Sequence, residues 1–183
     1  MLMRDEKLQF LEDRIVGDDL GIIMMGWEYP LMKRHAEAVC KNGGDILEIG
    51  FGMGISAQYI QEQYIDSHTI IEIHPEIAEK AREWAKDKEN VKIIESDWHD
   101  IMESLDTYDG IFYDAEQDKR KLEFYDFIKL KNGGIYTFFN PQGDGIKNDH
   151  NIKENIRYEL IDIDPPENPY FNLNTYYLPI VEA

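Results

Sequence analysis

The stretch "DILEIGFGMGIS", residues 45–56, decides how this chain is read. Its first half is a run of Ile and Leu interrupted by one carboxylate, Glu48, which is the pattern of a buried strand. Its second half sets Gly50, Gly52 and Gly54 directly after that strand. The segment "ISAQYIQEQY" (55–64) then reads as a helix. Glycines between a strand and a helix permit a tight turn and let a ligand approach the backbone closely. Gly clusters also serve as plain turns, so the loop gains meaning only from its surroundings.

Those surroundings alternate. "HTIIEI" (68–73) reads as a second strand and "PEIAEKAREWAKD" (75–87) as a helix with Pro75 in its first turn. "NVKIIES" (90–96) is a third strand, followed by a short helix from Trp98. "YDGIFYD" (108–114) is a fourth strand, "DKRKLEFYDFIKLK" (118–131) a helix and "GGIYTFFN" (133–140) a fifth strand. Strands alternating with helices of this length specify a parallel, doubly wound α/β sheet. Upstream, "PLMKRHAEAVCK" (30–41) carries Leu31, Met32, His35, Ala36 and Val39 at helical spacing. "EKLQFLEDRI" (6–15) reads as a short amphipathic helix. The last third offers two strands, "IRYELIDI" (156–163) and "NTYYLPIVEA" (174–183), with no clear helix between them. We therefore read one domain, 1–183. A helical segment, 1–43, covers the site, and a cofactor-binding core spans 44–183.

Composition bounds the function. The chain has 183 residues, 43% hydrophobic and 12% aromatic, which is enough for one globular domain with a sizeable core. One cysteine, Cys40, excludes an intramolecular disulfide and a Cys-based metal site, and the five histidines, among them His150, show no metal spacing. The charged start "MLMRDEKLQFLEDR" has no apolar core of a signal peptide, and no apolar run reaches the length of a membrane span. The expected setting is the cytoplasm. A formal net charge of -18 disfavours nucleic acid and anionic membrane as partners and suits a cationic ligand.

Two carboxylates flank the glycine loop. Glu48 lies two residues before Gly50, and Glu72 ends the second strand, where a carboxylate can accept both hydroxyls of a ribose. A dinucleotide would favour GxGxxG, and Glu48 would crowd its pyrophosphate. The pattern ExGxGxG is that of class I S-adenosylmethionine-dependent methyltransferases, whose cofactor has no phosphate and carries two positive groups.

The resemblance then narrows. "GWEYPLMKRHAEAV", "ILEIGFGMGISAQYIQE", "IIEIHPEI", "DGIFYD" and "TYYLPIV" occur in the order seen in guanidinoacetate N-methyltransferase and the related protein-arginine N-methyltransferase. The chain resembles that subfamily from about Trp27 onward, with one large gap. The resemblance implies a Rossmann-like class I methyltransferase fold, a mostly parallel seven-stranded sheet whose last strand is antiparallel. It implies S-adenosyl-L-methionine as cofactor, held by Glu48, Gly50, Phe51, Gly52, Met53, Gly54 and Glu72, with Ser96, Asp97 and Trp98 at the adenine. It also implies that Glu28 and Asp114 grip the guanidino group of a small-molecule acceptor and carry catalysis. Trp27, Tyr113 and Asn140 would line the same site; Glu116, which the family pattern does not require, would be a third acid for a more cationic acceptor. Asp97 departs from the apolar residue of the closer family.

A planar guanidinium presents forked donors that match carboxylates, so the paired acids make chemical sense independently. The acceptor itself stays open among guanidinoacetate, arginine and agmatine. The family offers backbone N–H groups to the acceptor's carboxylate after the fifth strand. Here that stretch reads "NPQGDG" (140–145), where Pro141 has no N–H and Asp144 repels a carboxylate. Two rivals come from other classes. A polyamine aminopropyltransferase shares the fold but carries a Gly-Gly-Gly-Asp-Gly loop where this chain has "GFGMG". A non-catalytic interaction protein retaining the fold would be exposed by cofactor titration.

Overall fold

A computed structural model describes residues 3–115, 120–141, 152 and 156–183. Five strands form the parallel part of the main sheet: β4 (Asp45–Ile49), β5 (Ser67–Glu72), β6 (Val91–Glu95), β7 (Tyr108–Tyr113) and β8 (Leu130–Phe138). With β9 (Ile156–Asp162) and β10 (Thr175–Glu182) they build a seven-stranded sheet in the order β6-β5-β4-β7-β8-β10-β9. β4 pairs in parallel with β5 on one side and with β7 on the other. β10 is antiparallel to both neighbours, β8 and β9, as the resemblance implies. The sequence order reverses at β4, so the crevice at the strand C-termini opens between β4 and β7.

Helices cover both faces: α1 (Tyr29–Val39), α2 (Ile55–Gln61), α3 (Pro75–Ala85), α4 (Trp98–Ile101) and α5 (Lys121–Phe127). α1 buries Leu31, Met32, His35, Ala36 and Val39, the apolar stripe legible in its spacing. These residues pack with Phe112, Ile135, Tyr176 and Leu178 in one core layer, while Trp98, Tyr113, Phe124 and Tyr136 fill the layer on the other face. His35 is inside the first layer. Its Nε2 lies 2.8 Å from the Tyr176 hydroxyl, its Nδ1 bonds Thr137, and burial pushes its pKa down to about 3. The ring is therefore neutral and structural.

The N-terminal segment differs from the expected helix. It forms a three-stranded antiparallel sheet, β1 (Leu8–Phe10), β2 (Arg14–Gly17) and β3 (Gly21–Met25), followed only then by α1. Leu8 and Leu11 have helical spacing, yet Leu11 is 52% exposed, whereas Leu8 and Phe10 alternate inward onto Ile15, Phe51 and Ile77. The buried Glu6 carboxylate accepts the backbone N–H of Asp19 at 2.6 Å and of Leu20 at 3.2 Å, which ties the β2–β3 turn back to the chain start. That side-chain-to-backbone pairing competes with a helix. The helix expected over 118–131 is shorter, and β8 begins already at Leu130.

Candidate active site

A cavity of about 520 Å³ lies over the C-terminal ends of β4, β5, β6 and β7. This is within the range of small-molecule sites, roughly 300–1,000 Å³. Gly50 and Gly52 form its floor, Ile71 to Ile73 come from the end of β5, Ser96 to Trp98 follow β6, and Asp114 and Ala115 follow β7. The N-terminal sheet forms the cover through Ile22, Ile23 and Met24, and Glu28 and Tyr170 close the remaining side.

The glycines of the loop are required by contact as well as by conformation. Gly50 has φ 90°, and a Cβ there would collide with the Asp114 carbonyl. Gly52 has φ 53°, and a Cβ there would meet Met24 Sδ, which also accepts the Met53 N–H at 3.2 Å. The loop is thus pressed between the β7 end and the N-terminal cover. The Asp114 N–H donates to the Ile49 carbonyl at 2.8 Å, so Asp114 is held in register with the start of the loop.

Glu72 lines the cavity and is 4% exposed. Its Oε2 accepts the Phe51 N–H and its Oε1 the His74 N–H, both at 2.8 Å. Burial raises its pKa above the ordinary carboxylate value, and the backbone donors oppose that rise. A carboxylate has about four acceptor positions, so these two bonds orient it and leave capacity for hydroxyls.

Beyond β6, Asp97 caps α4 by accepting the His99 N–H at 3.0 Å. Its carboxylate also pairs with Arg120 at 2.8 Å, and the Arg120 guanidinium lies 5.3 Å from the Trp98 ring centroid. Arg120 lines the cavity. Its segment reads in sequence only as a helix, so nothing there marks it as a wall of the site.

Glu28 is 4% exposed in apolar surroundings. Its Oε1 accepts the Met25 N–H at 2.8 Å and the Tyr170 hydroxyl at 2.7 Å. Both Glu28 and Asp114 line the cavity that holds the glycine loop.

Several expected site residues are placed elsewhere. Glu48 is fully buried beneath the loop, bonded to Ser56 Oγ and, at 2.9 Å, to His68 Nε2; it shapes the turn and is absent from the lining. The Tyr113 ring is 2% exposed and packs on Trp98 and Phe124, because side chains alternate along β7 and this one falls in the core layer of Trp98 and Phe124. Asn140 is 1% exposed. Its N–H donates to the Tyr176 hydroxyl and its Nδ2 to the Tyr177 carbonyl, so it braces the strand end. Phe51 turns its ring into the core below α3, contributing only its N–H near the cavity. Gly54 starts α2, outside the lining, and Met53 packs between two core layers. Trp27 stands behind the lining, stacked on Tyr170 at 6.1 Å. Glu116, Asp144 and His150 lie outside the described residues. Among the described residues no group of His, Cys, Asp or Glu is arranged to hold a metal, and no helix is long and apolar enough to cross a membrane. The Cys40 thiol is buried and pushed up to about 12, which removes it as a nucleophile.

The family model of guanidinoacetate N-methyltransferase matches residues 11–151. The chain belongs to this family. Among curated relatives, protein arginine N-methyltransferase 2 of Aspergillus fumigatus is 33% identical over 172 residues, covering 87% of this chain and 39% of the relative. The protein of the same name from Saccharomyces cerevisiae is 29% identical, covering 94% and 50%. The chain thus spans about half the length of these relatives or less. Among solved structures, a putative methyltransferase from Escherichia coli superposes with TM-score 0.62 at 15% identity, covering 92% of this chain and 90% of that one. A spermidine synthase in complex with the transition state analogue AdoDATO gives 0.63 at 13%, covering 100% and 70%. Those two likenesses show the shared fold alone.

The residues fit the cofactor expected of this family, S-adenosylmethionine. Gly50 and Gly52 bring bare backbone to the cavity wall, and the buried Glu72 lies beside them on the same lining. Glu72 is suited to the ribose hydroxyls, and the Ser96–Trp98 wall to the base.

Proposed function

We propose that the chain methylates a guanidino nitrogen, with the guanidinium held between Glu28 and Asp114. The observation that carries this reading is that two acidic residues from distant parts of the sequence line the same cavity as the glycine loop. S-adenosylmethionine, when bound, supplies an electrophilic methyl carbon, and sulfur keeps the electron pair of the bond that breaks. The protein's part is different. A guanidinium nitrogen is a weak nucleophile because its lone pair is delocalised. Two carboxylates fix its plane and balance its charge, and alignment toward the methyl lowers the barrier further. The nitrogen sheds a proton as it takes the methyl, and we assign that proton to Asp114. Asp114 is the better placed acid because its backbone is fixed to Ile49 beside the loop.

The acceptor we favour is a small cationic guanidino compound without a nearby carboxylate, such as agmatine. Pro141 lacks the N–H that would receive a carboxylate, and the net charge of -18 disfavours an anion. A second reading, an arginine side chain in a protein, is favoured by the name of the curated relatives. A methyl-transfer screen with mass detection decides between them, using agmatine, arginine, guanidinoacetate and an arginine-containing peptide. Highest kcat/KM for agmatine supports the first reading and highest for the peptide the second. Methylation of none of them, with S-adenosylhomocysteine bound, overturns the guanidino assignment and favours a non-catalytic role.

A further inference from the structure

The Glu28 carboxylate is held by a residue 142 positions away, Tyr170, in the connection between β9 and β10. The phenol donates to Glu28 Oε1 at 2.7 Å while its ring stacks on Trp27 with an interplanar angle of 27°. The connection is folded around one buried amide. Asn168 is 7% exposed; its Oδ1 accepts the N–H of Tyr170 at 3.1 Å and of Phe171 at 2.7 Å. Its Nδ2 donates to the carbonyls of Pro166 at 2.8 Å and Phe171 at 2.7 Å. Both donors and both acceptor positions of the amide are thereby used. Phe171 is 2% exposed and anchors the turn in the core beside Trp27 and Tyr176. Tyr170 is therefore presented to the cavity from a turn with little freedom.

We infer that Tyr170 is a positioning residue for the acceptor, acting through Glu28. The inference rests on the guanidino reading of the site. A glutamate loses rotamer freedom when it grips a ligand, and that loss subtracts from affinity. Here the Met25 N–H and the Tyr170 hydroxyl order the carboxylate before any acceptor arrives. Two donors converging on Oε1 fix the plane of the carboxylate. A tyrosine that merely filled space would affect stability and leave acceptor affinity unchanged.

Tyr170→Phe keeps the ring and its stacking and removes the donor. The test is calorimetric titration of agmatine and of an arginine-containing peptide into the S-adenosylhomocysteine complex of wild type, Tyr170→Phe, Glu28→Gln and the double variant. Tyr170→Phe is expected to weaken the better probe roughly tenfold, the size of one charge-assisted bond, with S-adenosylhomocysteine affinity unchanged. In the Glu28→Gln background the same substitution is expected to have no further effect. Asn168→Ala, which loosens the turn and leaves the phenol in place, is expected to shift acceptor affinity in the same direction. Probe affinity within twofold of wild type in Tyr170→Phe, or fully additive losses in the double variant, overturns the positioning role alone. A wild-type complex that binds neither probe overturns the guanidino reading and this inference with it.

Discussion

The two ends of the cavity are built in opposite ways. At the cofactor end, Gly50, Gly52 and Glu72 lie within one strand–loop–helix–strand unit, and Glu72 bonds the loop's own Phe51 N–H. At the end proposed for the acceptor, Glu28 precedes the parallel core, Asp114 follows β7, and Tyr170 arrives from the connection before the last strand. The first end is assembled by local pairing, and the second exists only once the N-terminal sheet and the β9–β10 connection have docked. On the proposed function, cofactor binding rests on the local unit and acceptor choice on the docked segments.

Substitutions on the two sides should therefore separate cleanly. Asp114→Asn removes a charge and the proposed base together. We expect kcat to fall by roughly 10²–10⁴-fold with S-adenosylhomocysteine affinity preserved, measured by single-turnover methyl transfer and calorimetry. Glu72→Ala should do the reverse. Removing a buried carboxylate that pairs with two backbone N–H groups should weaken the cofactor by about ten- to a hundredfold, with little change in acceptor KM at saturating cofactor. NAD binding tighter than S-adenosylhomocysteine would break the division.

Acid sharpens the comparison further. Glu72 has its pKa raised in the folded protein, so on acidification it takes up a proton earlier than a carboxylate at 4.5. Ribose hydroxyls donate to the ionised form, so cofactor affinity should begin to fall at a pH above 4.5, and Glu72→Gln should flatten that profile. His35 works on stability. Its folded pKa is lowered to about 3 from 6.5, so between those values the unfolded chain binds the extra proton. Its contribution is intact above 6.5 and is lost as pH falls, at up to about 1.4 kcal/mol per pH unit. Urea unfolding at several pH values checks the slope, which should lessen in His35→Phe. Arg120→Ala is expected to have the smallest effect. A part-exposed ion pair contributes about 0–1 kcal/mol, so cofactor affinity should change by no more than about fivefold.

The same division explains what the sequence disclosed. The parallel order and the glycine loop followed from strand and helix periods, because each is a local pattern. Glu48 was legible as a loop carboxylate but not as one bonded to His68 of the neighbouring strand β5 and to Ser56 of α2, since both pairings need the folded chain. The Leu8–Ile15 stretch satisfied a helical spacing, and only the docking of Leu8 and Phe10 on Ile15, Phe51 and Ile77 selects strands. Tyr113 was expected beside the acceptor, and its ring instead packs on Trp98 and Phe124, because alternation along β7 turns it into that core layer. Tyr170 carried no motif. Its meaning comes from Asn168, whose side chain folds a turn that composition alone reads as a loop.

The most direct test of the paired-carboxylate grip is Glu28→Gln, assayed for kcat/KM on the best acceptor and for S-adenosylhomocysteine binding in the same preparation. The substitution keeps shape and removes charge. If Glu28 holds the guanidinium, kcat/KM falls by roughly ten- to a hundredfold while cofactor affinity barely moves. Near-normal turnover in a folded, cofactor-binding Glu28→Gln protein would contradict the grip and leave Glu28 as a charge at the start of α1, a role that contributes roughly 0.3–1 kcal/mol of stability.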